Sequence, residues 1–193
     1  MNNPPPSPWP TPALDNKELR MSYNIARGEQ GVLKFEPYKS ILLPHWRFRT
    51  VPIAEESSQT LWTAFEYYVK AKDFVGADMA RKFIQMGTTR AKRYANHAGG
   101  RKYDRTARQV EAEGGKRTEL AKSKGHKGQE EKLAASEVFR EVWKRCTSCE
   151  GYGVLREEWK EKRKDWEKGE KEVEKEDDEQ DVEVKEEEET GEE

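Results

Sequence analysis

The chain has 193 residues, 33% of them apolar and 38% charged, whereas ordinary globular domains run at about 45–50% and about 25%; a mixture this polar excludes packing along the whole length. The formal charge of −2 conceals two opposed ends: residues 1–165 hold 32 Lys+Arg against 22 Asp+Glu, a net of +10, and residues 166–193 hold 4 against 16, a net of −12. No run of 18 apolar residues is present, so a membrane span is excluded.

Residues 1–16 contain six of the nine Pro. They read as an unfolded or polyproline-like leader, bounded at residue 19. It has neither the basic nor the apolar region of a signal peptide. Five of the six Phe then fall between Tyr23 and Tyr94, which places most of the core there. Val32-Leu33-Lys34-Phe35-Glu36 stops at Pro37, and Trp46-Arg47-Phe48-Arg49 alternates with the period of a half-buried strand. Short β-strands near residues 31–49 fit this pattern, while Pro37 and Pro44 favour extended loops.

Thr50-Val51-Pro52 opens a helix, because Pro suits a first turn and Glu55 and Glu56 suit the positive end of the dipole. Leu61, Trp62, Phe65, Tyr68 and Val69 recur at helical spacing and predict an amphipathic helix over 53–71. Asp73 is a good N-cap for a second helix to about Asn96. Val75, Met79, Phe83, Met86 and Tyr94 form its apolar arc. Arg81, Lys82, Lys92 and Arg93 fall opposite, as a face for a partner or for water. Gly76 and Gly87 lie near the apolar side, where a missing side chain permits close helix approach. Residues 98–128 are Gly-rich, basic and nearly free of apolar residues, and read as a mobile loop. Helices follow over 129–145, with Val138, Phe139, Val142 and Trp143, and over 154–166, with Leu155 and Trp159. After Trp166 only Val173, Val182 and Val184 are large and apolar, too little to offset chain entropy, so residues 166–193 read as a disordered acidic tail. The fold class is mainly α: one small helical domain over 20–165, with Trp62, Phe65, Phe83, Met86, Phe139 and Trp143 in its core.

Five stretches are familiar together: Arg27-Gly28-Glu29-Gln30-Gly31-Val32-Leu33, Glu36-Pro37-Tyr38-Lys39-Ser40, Pro44-His45-Trp46-Arg47-Phe48, the run from Asp73 to Phe83, and the run from Arg90 to His97. Through them the chain resembles domain-of-unknown-function family 4385, over roughly residues 20–160. The resemblance implies a shared domain among uncharacterised cytoplasmic proteins. It carries over no catalytic residue, and it leaves the leader, the 104–128 loop and the tail unmatched.

The candidate chemistry is sparse. No Ser or Cys nucleophile motif, Walker loop or complete metal site is present, so catalysis is not expected, and no cofactor is implied. Arg27-Gly28-Glu29-Gln30-Gly31 fits either an anion approached by backbone N–H groups, with Arg27 as a fork, or a tight surface turn. Glu29, Glu36 and Lys39 fit either a phosphate-processing, Mg²⁺-dependent nuclease-like enzyme or plain surface pairs. His45, His97 and His126 share no ligand spacing, and His97 suits a helix end. Cys146 and Cys149 cannot make a disulfide framework and lack the further thiolates that a structural zinc needs, so they read as a turn between helices in a reducing, cytoplasmic or nuclear compartment.

The basic run weighs most. Residues 81–127 hold 14 Lys+Arg and 4 Asp+Glu, with Tyr94 and Tyr103 among them. Clustered cations with aromatics and Gly are the electrostatic footprint of nucleic-acid binding. Arg27, Arg81, Lys82, Arg90, Lys92, Arg93, Arg101 and Lys102 are the candidate contacts to nucleic acid or another polyanion. A solvated helix face, or a protein-interaction module without chemistry, is the competing reading. The acidic tail is either an internal competitor for that basic surface or a solubility segment.

Overall fold

The computed structural model describes the backbone of residues 8–25 and 29–190, and side chains as far as Glu170, Gln30 apart. In chain order it forms α1 (Pro12–Asp15), α2 (Lys17–Ser22), α3 (Glu29–Val32), α4 (Tyr38–Leu42) with a 3-10 turn (Leu43–His45), α5 (Val51–Lys70), α6 (Phe74–Asn96) with a 3-10 turn (Ala98–Gly100), α7 (Ala107–Glu113), α8 (Gln129–Thr147) and α9 (Glu150–Thr190).

The four long helices arise where the apolar spacing places them. Pro52 sits in the first turn of α5, which buries Leu61, Trp62, Phe65 and Tyr68. The Asp73 side chain caps α6 by accepting from the Gly76 N–H at 3.0 Å. α6 is the central helix, packed against both α5 and α8. Its two glycines mark those contacts. A Cβ on Gly76 would lie 2.4 Å from Tyr68 Cδ1 of α5, and one on Gly87 would lie 2.4 Å from Phe139 Cδ1 of α8. Of the expected core, Trp62, Phe65, Phe83, Met86 and Phe139 are buried, and Trp143 packs half-buried at the edge.

Two buried carboxylates, Asp73 at the cap of α6 and Asp78 within it, hold the outer segments. Asp78 Oδ2 accepts from Tyr23 Oη at 2.5 Å, and its Oδ1 accepts from Tyr152 Oη at 2.6 Å and from Arg81 Nε at 2.8 Å. Asp73 accepts from Tyr38 Oη, which in turn accepts from the Ala13 N–H at 3.0 Å.

The structure departs from the sequence reading at two places. No strand forms among the described residues. Trp46 and Phe48 are half-buried and Arg47 and Arg49 exposed, so the alternation is real. The segment's polar groups, however, are met by helix side chains instead of a neighbouring strand: Ser57 Oγ accepts from the Arg47 N–H at 2.9 Å, and Lys132 Nζ donates to Phe48 O at 3.1 Å. The leader is packed from Trp9 onward. Trp9 is 6% exposed and meets the His45 ring edge-on at 5.1 Å, and Pro12 starts α1 in place of a polyproline coil. Residues 1–7 lie outside the described residues. As the spacing predicts, the last helix packs through Leu155 and Trp159, joined by Tyr152, and the backbone of α9 continues to Thr190. Residues 167–170 are exposed. A helix of the tail's composition, with no apolar stripe to bury, is only marginally favoured over coil.

The ring contact at Gly87 makes a definite prediction. Gly87→Ala forces a methyl into Phe139 and is expected to destabilise the protein by about 1–3 kcal/mol. Gly153→Ala, a helical position with open space around it, is expected to stabilise by about 0.5–1 kcal/mol. Urea unfolding midpoints measure both, and equal midpoints for wild type and Gly87→Ala would refute the close-approach account.

Candidate functional site

The C-terminus of α6 builds the site. The last carbonyls of a helix lack intrahelical partners, and here the segment 123–129 supplies them. The Ser123 N–H donates to Asn96 O at 2.9 Å, Gln129 Nε2 donates to Ala95 O at 3.0 Å, and His126 Nε2 lies 3.1 Å from Tyr94 O. Ser123 Oγ also accepts from the Ala98 N–H at 2.7 Å. The basic loop therefore leaves and returns at one neck.

Beyond the neck the loop has its own fold. Tyr103 and Glu119 form an antiparallel bridge. Asp104 Oδ1 accepts from the N–H groups of Arg105 (2.7 Å) and Thr118 (2.9 Å), and the Thr118 N–H holds its carboxyl below the usual carboxylate range. Thr106 and Gln109 close a capping box at the start of α7. The Thr-x-x-Gln signature is a helix-start signal that the mobile-loop reading of residues 98–128 leaves out.

Arg93, Arg101, Arg105 and Arg117 line one hollow of about 340 Å³ with Tyr103 and Asp104. Arg93 Nε donates to Gly100 O at 2.7 Å, Arg101 Nη2 to Asp104 O at 2.8 Å, and Arg105 Nη2 to Lys116 O at 2.6 Å. The Arg117 guanidinium lies over the Tyr103 ring, 4.6 Å from its centroid. Carbonyls and a ring fix the direction of a guanidinium without cancelling its charge. Glu113, 3.9 Å from Arg105 Nη1 and 62% exposed, neutralises it little.

The other expected contacts divide differently. Arg81 pairs with buried Asp78 at 2.7 Å and Arg90 with Glu29 at 2.6 Å, while Lys102 pairs with Glu119 at 3.2 Å. Lys82 is 5% exposed, and burial lowers its ammonium from the ordinary lysine value. Arg81 and Lys82 therefore do not form an exposed basic face. Lys92 is exposed, and Arg27 lies outside the described residues. Arg93 and Arg101 are thus the expected residues brought together, and Arg105 and Arg117 are the ones the sequence reading omitted.

The carboxylate–lysine set also separates. Glu29 is engaged by Arg90, whereas Glu36 binds Lys39 and accepts from Ser40 Oγ at 3.0 Å. Among the described residues, no group of three or more His, Cys, Asp and Glu is placed to hold a metal ion. His97, expected to cap with its charge, is 4% exposed and caps α6 through its backbone N–H, which donates to Arg93 O at 2.9 Å. Cys146 is buried in α8 and Cys149 is half-buried in the α8–α9 turn. No helix among the described residues is long and apolar enough to cross a membrane.

A family model described as a domain of unknown function, DUF4385, matches residues 8–162, and the chain belongs to that family. The match begins ahead of Trp9, earlier than residue 20. No curated protein and no solved structure gives a significant match.

Burial pushes the Cys146 thiol up to about 12, and the thiolate is the reactive form. At pH 8 a maleimide is therefore expected to label Cys149 in the native protein, with Cys146 following only after denaturation. Rapid labelling of both thiols would show instead that the α8–α9 turn opens freely.

Proposed function

We propose that the chain is a nucleic-acid-binding module that contacts phosphates through the surface around Arg93, Arg101, Arg105 and Arg117. The observation that supports it is the manner in which these four guanidiniums are held. Each is oriented by a carbonyl or a ring, so its charge stays available to an anion. The hollow also holds the carboxylate of Asp104, which the Arg105 and Thr118 N–H groups engage, and the Arg105–Glu113 contact is long and exposed. Arg81, Arg90 and Lys102 are paired with carboxylates, and Lys82 is buried. Exposed Lys92 extends the surface. Such contacts carry charge without a base-reading pattern, so binding is weakly sequence-specific. A nucleic-acid partner fits the cytoplasmic or nuclear compartment expected from the sequence. The acidic tail, with its net charge of −12, competes for the same surface at high effective concentration.

Four phosphate contacts predict a logarithmic salt slope of about −3 on single strands. The double variant Arg101→Ala/Arg117→Ala is expected to lower the slope's magnitude by about 1 to 2, with unchanged circular dichroism. Fluorescence anisotropy across a salt series measures this, and affinity that ignores salt, or no binding at low salt after removal of residues 167–193, rejects the proposal. Tail removal is also expected to raise affinity at low salt, with the gain vanishing at high salt as screening takes over. Equal affinity with and without residues 167–193 would leave the tail as a solubility segment.

A further inference from the structure

We infer that the arginine-lined hollow takes a terminal phosphate monoester, the phosphorylated end of a nucleic-acid strand, in preference to the phosphodiesters along its length. The inference rests on the nucleic-acid reading above and names the part of the strand that this site selects.

Three observations lead there. The first is size. A hollow of about 340 Å³ sits at the small end of ligand pockets, roughly 300–1,000 Å³, and accommodates a phosphate with one attached nucleoside. Proteins that follow a strand use a continuous groove spanning about 4–16 nucleotides. The second is charge. A phosphate monoester carries about −1.5 to −2 at pH 7, whereas each internal phosphodiester carries a single negative charge. Four guanidiniums and the one carboxylate of Asp104 leave a formal +3 in the lining, which favours the more highly charged anion. The third is preorganisation. Gly100, in the left-handed region at φ +71°, aims its carbonyl at Arg93, and a Cβ there would lie 2.7 Å from Tyr94 Cζ. Arg105 spans the loop, reaching Lys116 O at 2.6 Å. The Thr106–Gln109 capping box stiffens the adjoining wall. Donors fixed in this way lose little freedom on meeting an anion, and a small dianion can be met from several sides at once.

The test uses the full chain and two single-stranded oligonucleotides of the same sequence, labelled at the 3′ end and bearing either a 5′-phosphate or a 5′-hydroxyl. The 5′-phosphorylated strand is expected to bind about tenfold tighter, a difference of about 1.4 kcal/mol. Inorganic phosphate in the millimolar range should erase that preference while leaving the weaker, shared affinity. Arg101→Ala and Arg117→Ala should each reduce the preference, and Arg101→Lys, which keeps the charge but loses the fork, should restore part of it. Lys92→Ala should weaken both strands alike. Equal affinity of the two strands overturns the inference and leaves the nucleic-acid reading standing. Binding of neither strand, with or without the tail, overturns both. If adenosine monophosphate binds but the phosphorylated strand shows no advantage, the hollow takes a free nucleotide and the strand-end assignment is wrong.

Discussion

The carboxylate of Asp78 is the point on which the fold depends. It is fully buried and accepts hydrogen bonds from Tyr23, Tyr152 and Arg81. These join the segment after α2, the start of α9 and α6 itself. A chain with 33% apolar residues has little hydrophobic area with which to fix short N-terminal helices, and directed bonds to a buried charge fix them in one arrangement. Breaking such a set is expensive, because removal of the carboxylate leaves the largely buried Arg81 uncompensated, at about 3–5 kcal/mol. Burial pushes the Tyr23 and Tyr152 phenols well above the ordinary tyrosine value, so both remain donors. Asp73 repeats the device one turn earlier, with Tyr38 and the backbone of Ala13.

This arrangement divides α6 by function. Its first two-thirds are surrounded, so the cations there serve the fold: Arg81 balances Asp78, Lys82 is buried, and Arg90 anchors α3 through Glu29. At the C-terminal end Ala91, Ala95 and His97 remain buried, and Lys92 is exposed. There the returning segment 123–129 binds the free carbonyls and fixes both ends of the basic loop. A helical scaffold thus presents a loop whose arginines are oriented by carbonyls and a ring, the division of labour that the proposed binding role needs.

Much of this was legible. The 3–4 spacing located α5, α6, α8 and the packed part of α9, and the Asp73 cap and the close approaches at Gly76 and Gly87 followed from residue type alone. The cationic face of α6 was misread because a helical wheel assumes one packed side, whereas the central helix is packed nearly all round. The Asp78–Arg81 spacing was the cue, as residues three apart on a helix are neighbours. Trp9 was hidden by the prolines around it, since composition cannot tell a coil from a short helix that Pro initiates. Arg105 and Arg117 stood among 14 cations with nothing local to distinguish them. What separates them from Arg90 is that carbonyls and a ring orient them, where a half-buried carboxylate holds Arg90, and that is a tertiary property.

The same geometry limits how the acidic tail can reach the site. Tyr152 meets Asp78 and Trp159 meets Phe74, so α9 runs antiparallel to α6 and carries the tail away from Arg93. From the level of Phe74 to Arg93 is about 28 Å along α6 at 1.5 Å per residue, and continuing α9 from Trp159 to Glu167 adds about 12 Å. A tail that stays helical moves further off with every turn. As a coil, residues 167–193 have a root-mean-square span of roughly 29 Å, and mutual repulsion extends it, so the roughly 40 Å separation lies within reach. Competition for the arginines therefore requires the helix to end early. Gly169 is the natural place, because it is exposed, a Cβ there would meet nothing within 4 Å, and a glycine inside an exposed helix costs about 1 kcal/mol relative to alanine. Under the proposed competition, the tail's effect on binding follows its own helix–coil balance, which acidic self-repulsion shifts toward coil at low salt, where a basic surface attracts it most.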